Sequence, residues 1–312
     1  MFQDFLIVSK EDENERVDKF LATRFPDFTR SFIQKAIKNG QIKLNGKDFK
    51  SNYKLKLDDK IEINIEDPIE LETEPEDIPL NILYEDDDVL IVNKPKNMVV
   101  HPSAGHFSHT LVNAIMFHCK DSLSGINGII RPGIVHRIDM NTTGSLIICK
   151  NDVSHTKIAE QIKEHSVNRI YVGLVYGRLA NDEGTVEGPI GRNPSDRKKM
   201  AINYKNGKPA ITHYKVLERF NEYTFVKFKL ETGRTHQIRV HMASIGHPLV
   251  GDDIYSNNKK CKFKHLEGQC LHARTIGFIH PTLNQYVEFQ APIPEYLDKL
   301  LNTLRINEHK DI

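Results

Sequence analysis

The sequence predicts an α+β fold arranged in two domains, and three observations carry that prediction. The chain has 312 residues, whereas one domain usually takes roughly 100–200. Residues 16–65 read as two short helices, a tight turn and an alternating strand. From residue 80 onward, short β-like runs alternate with a few helices, without a repeat of roughly 20–50 residues or a low-complexity tract. The expected boundaries are 1–66 for the first domain (core 16–65), 67–79 for an acidic, Pro-containing linker and 80–312 for the second domain.

In the first domain, Val17, Phe20 and Leu21 recur at i, i+3 and i+4, the stripe of an amphipathic helix that ends near Pro26. Thr29 is the expected N-cap of a second helix. Its inner stripe is Ile33, Ala36 and Ile37, and Gly40 is placed to stop it. Asn45-Gly46 suits a hairpin turn. Ile61-Glu62-Ile63-Asn64-Ile65 alternates as a half-buried strand does. Basic residues on the second helix and hairpin, Arg30, Lys35, Lys38 and Lys43, suit an RNA-gripping face, and equally a plain solvated one.

Charge separates the regions further. The formal net charge is +1, which by itself argues against a nucleic-acid binder. It is a cancellation. Residues 24–60 hold ten Lys/Arg against four Asp/Glu, and residues 89–312 hold thirty against twenty. Residues 61–88 hold twelve Asp/Glu and no Lys or Arg. Two basic regions flank an acidic connector, which Pro68, Pro75 and Pro79 and self-repulsion should extend.

The four cysteines, Cys119, Cys149, Cys261 and Cys270, form no Cys-x-x-Cys pair. Reduced thiols and a cytoplasmic location are expected, with neither a disulfide framework nor a zinc site. No apolar run reaches the roughly 18–20 residues of a membrane span. Met1-Phe2-Gln3-Asp4 lacks the basic start and apolar stretch of a signal peptide.

Four stretches carry chemistry. His136-Arg137-Ile138-Asp139 leads into Thr142-Thr143-Gly144 between the apolar runs Ile134-Val135 and Leu146-Ile147-Ile148. That places a carboxylate where a strand end enters a loop, either as a reactive group or as a turn cap. Thr232-Gly233-Arg234-Thr235-His236-Gln237-Ile238-Arg239-Val240-His241 follows a strand-like run, Phe225 to Leu230. It should open a helix from about Thr235 to Ile245, closed by Gly246 and Pro248. Its arginines could pair with a carboxylate or hold phosphates. His236 and His241, five apart, are poorly spaced for a shared metal, and no metal site is expected. Asn168 to Arg178 alternates as a strand, with Tyr171 and Tyr176 as β-formers or a base-stacking surface. Lys94-Pro95 through Val100-His101-Pro102 reads as a loop after the buried strand Val89–Val92.

Together and in this order, the four stretches resemble the RluA branch of the pseudouridine synthases. Ile138 stands where that family usually has Leu, and Asn97 where it commonly has Gly, a replacement that tolerates a left-handed backbone. Gly246-His247-Pro248-Leu249-Val250-Gly251-Asp252 completes the third motif. Residues 16–65 resemble the αL RNA-binding domain of a small-subunit ribosomal protein. The resemblance implies a catalytic domain built on a mixed, mainly antiparallel β-sheet flanked by helices and loops.

It also implies an activity: isomerisation of uridine to pseudouridine, without cofactor or metal, on a base drawn out of its stack. By the same resemblance Asp139 is the essential carboxylate, acting as nucleophile at ribose C1′ or as base toward a ribose proton. Arg239 is its ion-pair partner, and Tyr171 stacks on uracil. Arg137, His136, Thr143, Arg234, His236 and Gln237 are the implied substrate-binding residues. Subgroup features, Tyr84-Glu85-Asp86-Asp87 and Val99 to Gly105, imply large-subunit (23S) rRNA as substrate, in the stem-loop facing the small subunit. Pre-ribosomal particles are the implied partners, and a monomer is expected. A related synthase acting on other large-subunit or tRNA uridines is the second reading. The third is a non-catalytic rRNA-binding assembly factor, which would not need Asp139, Tyr171 and Arg239 together.

Overall fold

A computed structural model describes residues 2–26, 28, 30–65, 73–103, 105–120, 122–126, 131–196, 199–256, 261–263 and 266–310. The chain forms two compact units, Met1–Leu71 and Glu72–Ile312.

The first unit contains β1 (Phe2–Ile7), α1 (Val17–Arg24), α2 (Arg30–Lys38), β2 (Ile42–Leu44) and β3 (Lys60–Ile65). The strands make an antiparallel sheet in the order β1-β3-β2. Strand β1, which no clear alternation announces in the sequence, pairs along the whole of β3. Val17, Phe20 and Leu21 pack with Ile33, Ala36 and Ile37 over the buried face of β3, as the helical stripes predict. Helix α2 ends by paired bonds from Gly40 N to Ile37 O and from Gln41 N to Ala36 O. The expected cap at Thr29 lies outside the described residues. Asn45 and Gly46 both take positive φ, 51° and 75°, and Leu44 and Lys47 bond across them. That is the two-residue turn their sequence favours, because Gly bears the left-handed conformation without a Cβ penalty.

Asp18 is fully buried within this unit. It accepts hydrogen bonds from Arg16, Arg30 and Gln34. Burial alone would raise its pKa, but these donors outweigh it and hold the carboxyl at about 2. Arg30 therefore serves the fold as well as the surface. Lys35, Lys38 and Lys43 are exposed.

The second unit begins with an edge hairpin, β4 (Ile82–Glu85) and β5 (Val89–Lys94), followed by α3 (Leu111–Cys119), β6 (Thr143–Cys149) and α4 (Asp152–Lys163). Then come β7 (Asn168–Tyr176), β8 (Glu183–Glu187), the ribbon β9 (Ile190–Arg192) and β10 (Met200–Ile202), β11 (Ile211–Arg219) and β12 (Tyr223–Leu230). Helix α5 (Gln237–Ser244), β13 (Leu271–Ile279), β14 (Tyr286–Gln290) and α6 (Glu295–Lys310) complete it. The large sheet runs β4-β5-β6-β13-β7-β12-β11-β8, with β14 also on β13. Every pairing is antiparallel except β6 with β13, so the sheet is mixed and mainly antiparallel. Ile134 contributes one isolated bridge to Ile148 and Val135 none, so the expected apolar strand there reduces to a single contact. The expected linker is partly undescribed; its remainder is held by the second unit, where Glu74 O and Glu76 N bond to Asn113 of α3.

The parallel junction positions the site. Gly144 has φ +111°, and a Cβ there would stand 2.2 Å from the carbonyl oxygen of Ala273. Only glycine lets β6 approach β13 this closely. The loop carrying Asp139 feeds directly into this point.

Candidate active site

Asp139 stands just ahead of β6, and Arg239 in the first turn of α5 meets it. The Arg239 Nη1 atom donates to Asp139 Oδ2 at 3.0 Å. The two residues are 100 positions apart, and the sheet order brings their carriers together. Asp139 keeps 24% of its side chain exposed, whereas Arg239 keeps 4%. The carboxylate therefore faces the cleft and the guanidinium lies behind it.

Arg239 is itself anchored. Its Nε and Nη2 atoms donate to the two oxygens of Asp252, at 2.7 and 2.9 Å. Asp252 is fully buried and also accepts from the Ile254 and Tyr255 amides. Burial would weaken the guanidinium's charge, but Asp252 and then Asp139 more than restore it, so Arg239 remains a fixed cation. Asp252 belongs to the Gly251-Asp252 end of the third motif, yet nothing in the sequence pairs it with Arg239.

A second support is Lys94, which is buried with 1% exposure. Its ammonium donates to the carbonyls of Pro95, Met98 and Met140, at 2.7, 2.9 and 2.8 Å. It thus laces the Asp139 loop to the end of β5. Burial pushes its pKa down to about 7, with Asp139 pulling the other way.

A cleft of about 290 Å³ opens over Asp139, lined by Val99, Arg137, Met140, His236, Arg239 and Ile254 among others. A smaller recess of about 60 Å³ adjoins it, where Asp139, Arg137, Arg234 and Arg239 meet Tyr171 and the apolar side chains Ile138, Leu230 and Leu271. Burial raises the Tyr171 hydroxyl to about 12, so it stays a neutral phenol at physiological pH. A flat base fits such a wall of ring and aliphatic carbon, with Arg137 exposed at the mouth.

The predicted substrate-binding residues divide. Arg137, Arg234 and His236 line the cleft or its recess. His136, expected to bind substrate, is turned into the fold: its Nε2 accepts from the Ile147 amide at 2.9 Å, tying the loop to β6. Burial holds its pKa at about 3, so it is neutral. Thr143, also expected at the substrate, is buried and bonds through Oγ1 to His272 Nδ1 at 2.8 Å. Gln237 touches the recess, but its amide is committed to Thr232, Arg234, Ile211 and Thr212, which makes it the brace of the α5 turn. Physically these three serve the fold: His136 and Gln237 satisfy backbone groups and Thr143 satisfies a buried imidazole, as buried polar atoms require.

Helix α5 runs Gln237–Ser244, shorter at its start than predicted, because His236 adopts a left-handed conformation with φ 58°. Gly246 and His247 close it by bonds to Ala243 and Met242. His241 is fully buried between Thr212 and the Gly188 carbonyl, away from His236's role in the cleft. Among the described residues, Asp86, Asp88 and His280 are close enough to hold a cation. Their atoms instead knit the β4–β5 turn through Tyr84 and backbone amides.

Fold and site together define an RNA-modifying enzyme with a separate RNA-binding unit. Residues 88–244 match the RNA pseudouridylate synthase family, and residues 15–61 match the S4 domain. An uncharacterized RNA pseudouridine synthase of Bacillus subtilis is 48% identical over 98% of this chain and 100% of its own length. The ribosomal large subunit pseudouridine synthase D of Escherichia coli K12 is 38% identical over 97% of this chain and 95% of its own. The human RNA pseudouridylate synthase domain containing 1 superposes with a TM-score of 0.57 at 26% identity, covering 77% of this chain and 98% of that one. The chain belongs to the RNA pseudouridine synthase family and carries an N-terminal S4 domain.

Proposed function

We propose that this enzyme isomerises uridine to pseudouridine in large-subunit ribosomal RNA. The observation that carries the reading is Asp139 at the floor of a cleft, paired to an anchored Arg239 beside Tyr171. Support for the substrate comes from the relatives in Escherichia coli and Zymomonas mobilis, whose names specify the ribosomal large subunit. The stem-loop facing the small subunit is the proposed target, met in pre-ribosomal particles by a cytoplasmic monomer.

The reaction breaks the N-glycosidic bond, turns the uracil in place and joins its C5 to the ribose. The proton leaving C5 is matched by one gained at N1, so the exchange is redox-neutral and asks for no electron carrier. Asp139 acts on the sugar. Arg239 aims it by occupying one oxygen and leaving the other to the cleft. Tyr171, Leu230 and Leu271 hold the free base against loss. Unstacking the uridine costs a few kcal/mol, which phosphate contacts to Arg137, Arg234 and the lysines of α2 and the Asn45-Gly46 hairpin offset.

Asp139→Asn tests the reading. The amide preserves shape, and Arg239 keeps its Asp252 anchor, so the fold survives. Pseudouridine formation on transcribed large-subunit rRNA should vanish while RNA binding persists. Retained turnover would remove Asp139 from the chemistry.

A further inference from the structure

We propose that Tyr255 is a positioning residue: its hydroxyl fixes His236 as the Nε2–H tautomer, which presents a hydrogen-bond donor to the cleft beside Asp139. Its effect on turnover rests on the synthase reading; the tautomer itself does not.

A backbone amide can only donate a hydrogen bond. The backbone amide of Met200, at the start of β10, donates to the Tyr255 hydroxyl oxygen at 2.8 Å. The His236 Nδ1 atom lies 2.8 Å from the same oxygen. Tyr255 is buried, with 8% exposure, so its own proton needs an acceptor within the protein. With Met200 donating, His236 Nδ1 is that acceptor. A neutral imidazole accepting at Nδ1 carries its proton on Nε2.

A second observation points the same way. His236 Nε2 lies 3.9 Å from Asp139 Oδ1, the oxygen that Arg239 does not hold. A bare lone pair there would face a carboxylate; an N–H complements it. Burial pushes the His236 pKa below its usual value, so the ring holds one proton and the network decides where. The side chain is also held in place. His236 has the left-handed φ of 58°, uncommon for a residue with a Cβ. Its ring meets Tyr255 edge-on at 5.7 Å, and the Arg239 guanidinium carbon lies 5.1 Å from the same Tyr255 ring. One phenol thus supports both cations or donors that surround Asp139.

The consequence is a division of labour at the carboxylate. Arg239 holds Oδ2. The His236 Nε2–H faces Oδ1 across a gap too long for a direct bond, where an oxygen of the bound uridine can be received. His236 is then a donor to the reacting nucleoside and not the base of the reaction.

Nitrogen-15 spectra of histidine-labelled full-length protein, without RNA, read the tautomer. The His236 resonances are assigned by their loss in His236→Gln. The expected result is a protonated Nε2 and a bare Nδ1 in the wild type, with a shift toward the other tautomer in Tyr255→Phe. In turnover on transcribed large-subunit rRNA, Tyr255→Phe should lower kcat by about tenfold to a hundredfold, the scale of one lost buried hydrogen bond, with KM almost unchanged. His236→Gln, whose amide can offer N–H near the Nε2 position, should retain more activity than His236→Asn. Adding Tyr255→Phe to His236→Gln should cost nothing further. A wild-type His236 protonated on Nδ1, or penalties that multiply in the double variant, would overturn the inference. If the synthase reading were at fault, the wild type would be inactive on rRNA with the tautomer as stated. If this inference were at fault, an active enzyme would show the wrong tautomer.

Discussion

Asp252 grips the Arg239 guanidinium with both carboxylate oxygens, at 2.7 and 2.9 Å, whereas Asp139 receives one hydrogen bond from it, at 3.0 Å. A bidentate pair fixes a planar guanidinium in orientation, so Asp252 holds the arginine while the single bond to Asp139 leaves that residue's second oxygen open to the cleft.

Asp252→Asn should therefore affect both stability and rate. The buried arginine loses its main counter-charge, a change that typically costs about 3–5 kcal/mol. Denaturant unfolding of the full chain should show that loss in the second unit, which holds Arg239 and Asp252, and kcat should fall more than RNA affinity because Arg239 no longer aims Asp139. Unchanged stability would mean that the Ile254 and Tyr255 amides, not the charge, explain the burial of Asp252.

Arg239→Met tests the other end of the pair. Electrostatic stabilisers of a reacting group are worth about a hundredfold or more in rate. Single-turnover pseudouridine formation should drop on that scale, while filter binding of rRNA changes little. A large loss of affinity with a small loss of rate would make Arg239 a phosphate clamp instead.

Gly144→Ala should unfold or severely destabilise the catalytic unit. The added Cβ would lie 2.2 Å from the Ala273 carbonyl oxygen in a backbone conformation that L residues avoid. Clashes and strain of this kind reach about 4–5 kcal/mol. Thermal unfolding of the variant, followed by circular dichroism, checks it.

Asp18 gives a pH dependence in the S4 unit. Its folded pKa of about 2 lies below the ordinary 3.8, so the unfolded chain takes up the proton first. The stabilisation is complete above the ordinary value and is lost as pH falls through the folded one. It is worth about 2 kcal/mol. Amide exchange in full-length protein should show the S4 unit loosening between about pH 4 and 2, and Asp18→Asn should remove that step while lowering stability at neutral pH.

Much of this protein is readable in its sequence. The stripes of α1 and α2, the Asn45-Gly46 turn and the strand Ile61–Ile65 follow from local rules, because spacing and turn chemistry act within a few residues. Asp139, Tyr171 and Arg239 are legible as candidates through the family resemblance that the four ordered motifs carry. The roles of His136, Thr143 and Gln237 are not. Their neighbours in sequence are site residues, but their side chains point into Ile147, His272 and Ile211, partners that only the sheet order supplies.

Strand β1 shows the same boundary. Phe2–Ile7 has no clean alternation, and it is a strand because β3 offers a free edge.

Sequence alone determined the two-unit organisation, and its resemblance to the synthase family pointed to Asp139 as the candidate carboxylate and to the class of reaction, because motif identity and motif order are carried by the chain itself. Tertiary structure alone decided how the carboxylate is held. Asp252 behind Arg239, Lys94 beneath Met140 and Tyr255 beside His236 are contacts between residues 13, 46 and 19 positions apart, beyond the reach of helix or strand spacing. Electrostatic fields and hydrogen bonds act through space over a few ångströms, and the linear order of residues does not encode that distance until the sheet has closed.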